Sequence, residues 1–255
     1  GLTFLPIGLR LDEIELASRL YDSGEVELTG TFRAGEGRAE IVTRTDFAQT
    51  ETTGIEVRLR GDSLSLIDVP DVQAIADADV GIVLDDEVLT INGRVAIPTA
   101  RIRPRSIGVS RISESQDVVI VAGELPQAIT VPEKKADVSI MGTLEVAFGN
   151  DVEVLLDVAT ANLTGNTSFT WSGDAMPIAS GRYDINGEVL AFGQRLDITE
   201  GGLRFPNVPA DNPLVRVIAV RDIYGNSEVK QAGILVSGTA KRPDVETFTI
   251  PFTTE

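Results

Sequence analysis

The sequence predicts an all-β protein, and three observations support this prediction. Apolar and charged residues alternate in short runs along most of the chain, as in Ile55 and Val57 with Glu56 between them. Glycine and other turn-forming residues separate these runs. Apolar runs are far shorter than the roughly 20 residues of a membrane-spanning helix. At 255 residues the chain is long enough to bury a substantial apolar surface.

The run from Gly181 to Phe205 shows this pattern most clearly. Its apolar residues fall two positions apart, as at Tyr183 and Ile185, and charged residues lie between them. A strand with this period presents one apolar and one charged face. The glycines, among them Gly187 and Gly193, predict tight turns or bends, because glycine enters positive φ regions without a Cβ penalty.

The first part of the chain reads as strand, turn, strand. Turns are expected at 22–24, at 30 and at 35–37. The segment 64–78 contains a proline and irregularly spaced acids, and we interpret it as an extended crossing. A helical turn at 71–79 is the alternative.

Between Val80 and Pro98 the alternation predicts three short strands. A hairpin turn is expected at Asp85-Asp86, and the dipeptide Asn92-Gly93 predicts a second turn. Pro98 is expected to end the last strand, because proline cannot donate to a ladder.

Residues 101–111 form the most basic stretch, with Arg101, Arg103, Arg105 and Arg111. Contact with lipid phosphates or a partner protein is one interpretation, and a solvated sheet edge that discourages pairing is the other, which we favour. A short strand is expected at 118–121, and the segment 123–137 is the best candidate for a flexible loop. The β pattern then resumes to Pro251. Gly-x-apolar-x-apolar recurs without a fixed period, which suits an elongated array of strands.

Composition excludes several classes of function. The net charge is −17, which repels nucleic-acid phosphates. The chain has no cysteine and no histidine, so thiolate chemistry and the commonest metal ligand are absent. The acidic cluster at 77–87 fails the EF-hand pattern, since Gly81 and Val88 stand where ligands are required. No nucleophile-elbow or phosphate-loop motif occurs, and we predict no enzyme activity, cofactor or metal.

Two stretches together resemble the conserved C-terminal domain of the TamB family. They are INGRVAIPTARIRP at 91–104 with SQDVVIV at 115–121, and the ordered series at 181–205, 211–222 and 234–251. The series contains a Gly-x-Leu-x-Phe strand at Gly202, Leu203 and Phe205, Asn212-Pro213 opening a strand that ends in Ala219-x-Arg221, and Gly238-Thr239 followed by Pro243. The resemblance covers residues 55–255, and 1–54 is expected to be the end of a preceding β-repeat region.

The resemblance implies an elongated β-taco, a U-shaped folded sheet with an apolar interior trough. It implies a periplasmic protein of Gram-negative bacteria whose full-length form is anchored in the inner membrane by a segment absent here. The family resembles AsmA-like and bridge-like lipid transfer proteins and is linked to phospholipid transport. It is also linked to outer-membrane protein assembly with the barrel protein TamA. Partners expected on this basis are phospholipid acyl chains and a TamA-like barrel, and the fragment is expected to self-associate through its cut ends.

The apolar face and the resemblance together lead to a lipid conduit. Exposing two acyl chains to water costs on the order of 20 kcal/mol at about 0.8 kcal/mol per CH₂, so a shielded path removes a large barrier. A sealed sandwich core is the alternative use of the same residues, and a scaffold that binds nascent barrel strands at a sheet edge is the alternative function. The predicted trough residues are Val80, Ile82, Leu84, Leu89, Ile91, Val95, Ile97, Val152, Val154, Leu156, Tyr183, Ile185, Leu196, Ile198, Leu203, Phe205, Val217, Ala219, Ile234 and Val236.

Overall fold

The computed structural model describes residues 1–4, 7–46, 54–85, 87–103, 139–173, 175–225 and 228–251. These residues form one open, curved sheet of 14 strands, which confirms the all-β prediction. No second sheet packs on it within these ranges, so the sealed-sandwich alternative is wrong for this part of the chain. None of the described residues belong to a helix long and apolar enough to cross a bilayer.

The strands follow one another across the sheet in chain order. At roughly 4.8 Å per strand, the sheet is about 60 Å long perpendicular to its strands. The strand bounds are β1 Leu2–Phe4, β2 Leu9–Leu20, β3 Glu25–Ala34, β4 Gly37–Asp46, β5 Ile55–Val69, β6 Val72–Asp85, β7 Val88–Ile102, β8 Ser139–Leu156, β9 Ala159–Ser172, β10 Ile178–Ala191, β11 Gln194–Pro209, β12 Leu214–Asp222, β13 Val229–Thr239 and β14 Arg242–Pro251.

All neighbouring strands are antiparallel except β7 and β8, which are parallel. A parallel pair needs a crossover of a dozen or more residues, and the interval between Ile102 and Ser139 provides that length. The predicted strand at 118–121, the loop at 123–137, and Arg105 and Arg111 lie outside the described residues. The sheet continues from β4 into β5 across residue 54, and the division of the chain there stays a prediction.

The long central strands are bent by β-bulges that lie near one another across the sheet. Register shifts occur between Ile75 and Asp77 in β6, between Ile97 and Thr99 in β7, and between Phe148 and Glu153 in β8. β10 and β11 carry corresponding shifts. A bulge bends its strand and increases the local twist, so neighbouring bulges fold the sheet along a crease. This geometry agrees with the expected U-shape.

Three predictions of turns and strand ends are wrong. Asn92-Gly93 lies inside β7, where Gly93 pairs with Val80 and Leu144 instead of forming a turn. Gly93 has a positive φ of 158°, and a Cβ placed on it would lie 2.3 Å from the carbonyl oxygen of Asp79. Pro98 does not end the strand. It lies at a β-bulge, where the ladder does not require the backbone N–H that proline lacks. The predicted extended crossing at 64–78 is a hairpin of β5 and β6.

Of the glycines in the run 181–205, Gly193 is the one that lies in a turn, between β10 and β11. Gly187 sits within β10 and pairs with Ile198. Strand glycines with positive φ mark close backbone approach rather than chain reversal. A Cβ placed on Gly187 would lie 2.1 Å from the carbonyl oxygen of Thr160.

One corner of the sheet curls over on itself at its N-terminal end. Leu9 and Leu11 of β2 pack against a buried cluster of Ala34, Ala39 and Leu64. The backbones meet so closely that a Cβ on Gly8 would lie 2.0 Å from the carbonyl oxygen of Asp68. Two of the three buried residues of this cluster, Ala34 and Ala39, have small side chains, because tightly packed backbones leave little room there.

Candidate functional site

The candidate site is one continuous apolar face of the sheet. Residues that lie opposite each other in neighbouring strands share a face, so the register identifies its members. We call this side the apolar face and define it by two rows that together cross β2 to β14. The first row is Leu16, Gly30, Ile41, Leu59, Val80, Gly93, Leu144, Phe169, Ala179 and Val208. The second is Val69, Val72, Ile102, Val154, Ala161, Gly187, Ile198, Ala219, Ile234 and Thr247.

The register puts all the predicted trough residues on this apolar face, although their role in binding stays a prediction. They differ in exposure. Val152, Tyr183, Leu196, Phe205, Ala219 and Ile234 are buried. Leu156 is 46% exposed. The half-buried members are Val80, Ile82, Leu84, Leu89, Ile91, Val95, Ile97, Val154, Ile185, Ile198, Leu203, Val217 and Val236.

The face also contains residues that the prediction omitted. Leu59, Leu144 and Phe169 follow the same alternation and could have been included on that signal. The buried alanines, such as Ala76 and Ala100, carry no such signal, because alanine is common on either face of a strand. Phe148 and Val152, four residues apart in β8, both lie on the apolar face, although the register shifts between Phe148 and Glu153.

Aromatic side chains concentrate on the apolar face of β8 to β11. The rings of Phe148 and Tyr183 stack with centroids 4.6 Å apart. Phe205 meets Tyr183 edge-on at 6.1 Å and Phe169 at 6.4 Å. Such pairs stabilise by about 0.5–1.5 kcal/mol beyond their buried area. The middle of the face is therefore packed by aromatic rings, while aliphatic residues dominate on both sides.

A small polar group lies within the aromatic cluster. The hydroxyl of Tyr183 donates a hydrogen bond to the carbonyl oxygen of Val146 at 3.3 Å. Burial raises the pKa of Tyr183, and the nearby Thr167 hydroxyl offsets only part of that effect. The Thr167 side chain is 2% exposed, and its hydroxyl has no hydrogen-bond partner of acceptable geometry among the described residues. Both side chains are therefore part of the packed interior of the cluster.

The opposite face, the charged face, carries ion pairs between neighbouring strands. One row alternates in sign across five strands, from Glu40 through Arg60, Asp79 and Arg94 to Glu145. Opposite charges directly across a ladder stabilise the pairing, and a slip of one residue would turn the apolar residues to the wrong side. The row therefore helps to specify the register that keeps the apolar face continuous.

Asp79 is the best-defined carboxylate of this row. It accepts hydrogen bonds from Arg58 Nε at 3.1 Å and Arg60 Nε at 3.3 Å. Desolvation raises the pKa of Asp79, but the hydrogen bonds and charges of Arg58 and Arg60 outweigh it, so the pKa is lowered. Arg101 pairs similarly with Glu153 of β8, at 3.0 Å. Because β7 lies between β6 and β8, the interpretation of Arg101 as a sheet-edge residue is wrong.

The separation of the two faces is incomplete near the C-terminal end of the sheet. In β12 and β13 the charged face also carries Ile218, Val220 and Leu235.

Among the residues described, no three acidic side chains come together as a metal site. The prediction that the chain is not an enzyme stays a prediction.

Comparison with known proteins identifies the family. The family model for the TamB C-terminal domain matches residues 23–254, which is most of the chain. The chain belongs to the TamB family. It is 24% identical over 258 residues to the translocation and assembly module subunit TamB of Haemophilus influenzae. That alignment covers 98% of this chain and 20% of the relative, so the chain spans about a fifth of the length of that TamB protein.

TamB membership confirms the resemblance drawn from the strand motifs. The Gly202, Leu203 and Phe205 motif lies in β11 at the aromatic cluster, where Leu203 pairs with Tyr183. The Ala219-x-Arg221 motif ends β12 on the apolar face. These two TamB motifs therefore include residues of the apolar face.

Proposed function

We propose that this chain is a segment of a lipid conduit that shields phospholipid acyl chains between the inner and outer membranes. The observation that carries the proposal is the apolar face, which continues from β2 to β14 and is not covered by a second sheet of the described chain. A soluble protein rarely leaves an apolar surface of this extent without a partner. An acyl chain is a partner of matching shape and polarity.

The dimensions favour acyl chains over a compact ligand. One leaflet of a bilayer has a hydrocarbon thickness of about 15 Å, half of the roughly 30 Å core. The sheet is about 60 Å long, so acyl chains could follow one another along it. Aliphatic side chains provide a surface without strong directional contacts, which suits a ligand that has to move.

The energetics favour a passive device. Keeping two acyl chains out of water removes on the order of 20 kcal/mol, at about 0.8 kcal/mol per CH₂, from the barrier to transfer. No catalytic group is needed for this task. The charged face, with its cross-strand ion pairs, keeps the outside of the sheet hydrated.

The cellular setting follows from the TamB relative. Its name makes it a subunit of a translocation and assembly module. In this proposal the chain acts in the periplasm as part of such a module, in a longer protein anchored in the inner membrane, with a TamA-like outer-membrane barrel as partner.

A second candidate is a scaffold for barrel assembly. β14 pairs with β13 on one side, and no described strand pairs with its other side. A free strand edge can add a strand of another chain through backbone hydrogen bonds. This function would require a peptide ligand at β14 and no lipid on the apolar face.

The test compares two adjacent residues of β6. Ile82 lies on the apolar face, and Val83 lies on the charged face and is 39% exposed. Native mass spectrometry of the purified protein should detect bound phospholipid in the wild type and in Val83→Asp. In Ile82→Asp the amount of bound phospholipid should fall by at least about tenfold, because several methylene contacts of about 0.8 kcal/mol each are lost. Circular dichroism checks that both variants fold. Absence of lipid from the wild type would refute the conduit, and equal lipid in both variants would refute the role of the apolar face.

A further inference from the structure

Arg221 is a charged residue on the apolar face, near the C-terminal end of the sheet. The alternation of β12 places Val217, Ala219 and Arg221 on the same side of the sheet. Among the described residues that the register of β5 to β12 assigns to this face, Arg221 is the one with a charge. A partly desolvated charge is unfavourable unless it is paired, so its position calls for a partner.

Arg221 borders a cavity of 410 Å³ formed by β11 to β14. The cavity is lined by apolar-face side chains of two strands, Leu196 of β11 and Ala232 and Ile234 of β13. Phe192, in the turn between β10 and β11, lies at its edge and is 84% exposed. A volume of this order is typical of small-molecule sites, which combine apolar walls with few polar groups.

The contacts of Arg221 leave its charge uncompensated. Its Nη1 donates a hydrogen bond to the side-chain oxygen of Gln194, which is neutral. Arg221 makes no ion pair with any carboxylate of the described chain. Arg216, five residues earlier on the charged face of the same strand, lies 2.9 Å from Glu200. The two arginines differ in face and in partner.

We propose that this cavity is a phospholipid site in which Arg221 binds the phosphate and the apolar wall receives an acyl chain. The inference rests on the proposed function and adds to it a fixed position for the head group. A guanidinium can donate two parallel hydrogen bonds to a phosphate, and its five N–H groups leave several free beside Gln194. Arg221 is the second-last residue of β12, so the phosphate would lie at the border of the sheet while the chain lies on Leu196 and Ile234.

The net negative charge of the chain makes Arg221 a more selective position for phosphate binding. At a net charge of −17 the protein repels anions in general. A phosphate is therefore held only where a local cation outweighs that field. Phe192 provides an exposed aromatic ring at the same border, where an amphiphile passes from apolar to hydrated surroundings.

The experiment measures binding of two lipids with identical acyl chains, phosphatidylglycerol and diacylglycerol, each carrying a photoreactive group at the chain end. The variants are Arg221→Gln, the charge-conserving Arg221→Lys, and Arg216→Gln as the matched control. Arg221→Gln should weaken phosphatidylglycerol binding by about tenfold or more, the value expected for losing a charge-assisted hydrogen-bonded pair. It should leave diacylglycerol binding unchanged. Arg221→Lys should restore part of the loss, and Arg216→Gln should change neither lipid.

The outcomes separate this inference from the conduit itself. If the wild type binds both lipids and Arg221→Gln binds both as the wild type does, the phosphate site is refuted and the conduit stands. An equal loss of both lipids in Arg221→Gln also refutes the site, since the charge then acts on the fold or the cavity wall. If the wild type binds neither lipid, both proposals fail. Labelling in the wild type should fall on β11 to β14, and labelling confined to other strands contradicts the site.

Discussion

Replacing Gly142 by alanine is expected to destabilise the protein by about 2–6 kcal/mol, the sum of backbone strain of about 1–3 and a steric displacement of about 1–3 kcal/mol. Gly142 has a φ of 119°, a conformation essentially restricted to glycine. A Cβ at this position would lie 2.0 Å from the carbonyl oxygen of Ile91 in β7. Because that oxygen belongs to a strand paired on both sides, it cannot move away freely.

Thermal unfolding followed by tryptophan fluorescence measures this effect. Trp171 is the one tryptophan of the chain, and it lies directly opposite Gly142 in β9. A chain of this size loses about 2–4 °C in Tm per kcal/mol, so the expected decrease is about 5–20 °C. The emission of Trp171 should also change in the folded state, because the indole faces the altered position.

Gly193→Ala is the matched control. Gly193 also has a positive φ, of 72°, but a Cβ there would meet nothing within 4 Å. Only the backbone penalty of about 1–2 kcal/mol remains. If Gly142→Ala and Gly193→Ala lower Tm equally, close backbone approach within the sheet is not what requires glycine at 142, and the reasoning is wrong.

Three further predictions concern the packing of buried side chains. Leu64→Ala should lower the free energy of unfolding in urea by about 3–5 kcal/mol, because Leu64 is 1% exposed. Leu190→Ala is the control and should change it by about 0.5 kcal/mol, because Leu190 is 46% exposed. Similar values for both variants would contradict a packed corner at Leu64. Thr167→Val should stabilise by about 1 kcal/mol, since it removes a buried hydroxyl without a hydrogen-bond partner, and a destabilised variant would reveal a partner that the structure lacks. Burial raises the pKa of Tyr183, so its contribution to stability is complete below the unfolded value near pH 10 and is lost as pH rises through the folded pKa. Tyr183→Phe keeps the ring stacked on Phe148 and removes the ionisable hydroxyl. In alkaline denaturation this variant should lose less stability above about pH 10 than the wild type. If the pH dependence is unchanged, Tyr183 is not the source of the alkaline loss of stability.

The period-two pattern predicted the faces of the sheet more reliably than the positions of its turns. Ile82, Leu89 and Ile198 could be assigned because side-chain direction in a strand depends only on local parity. Turn prediction failed at Asn92-Gly93, since the same dipeptide that favours a hairpin also permits a close approach of strands. Local sequence cannot separate these cases because the deciding contact, with β6, is distant in the chain.

Two other features lay beyond local sequence. The parallel pairing of β7 with β8 depends on contacts across a long connection, for which residues near Ile102 and Ser139 give no signal. Arg221 matched a family motif, but its isolation became visible only when the register placed Leu196 and Ile234 around it. The functional hypothesis for this residue therefore depends on tertiary structure.

Site-specific photo-crosslinking along β7 in intact cells tests the central claim most directly. A photoreactive amino acid would replace, one at a time, Leu89, Ile91 and Val95 on the apolar face and Thr90, Asn92 and Arg94 on the charged face. The account predicts phospholipid adducts at the first three positions and none at the second three. Adducts at both sets alike, or at neither, would contradict a lipid path along the apolar face.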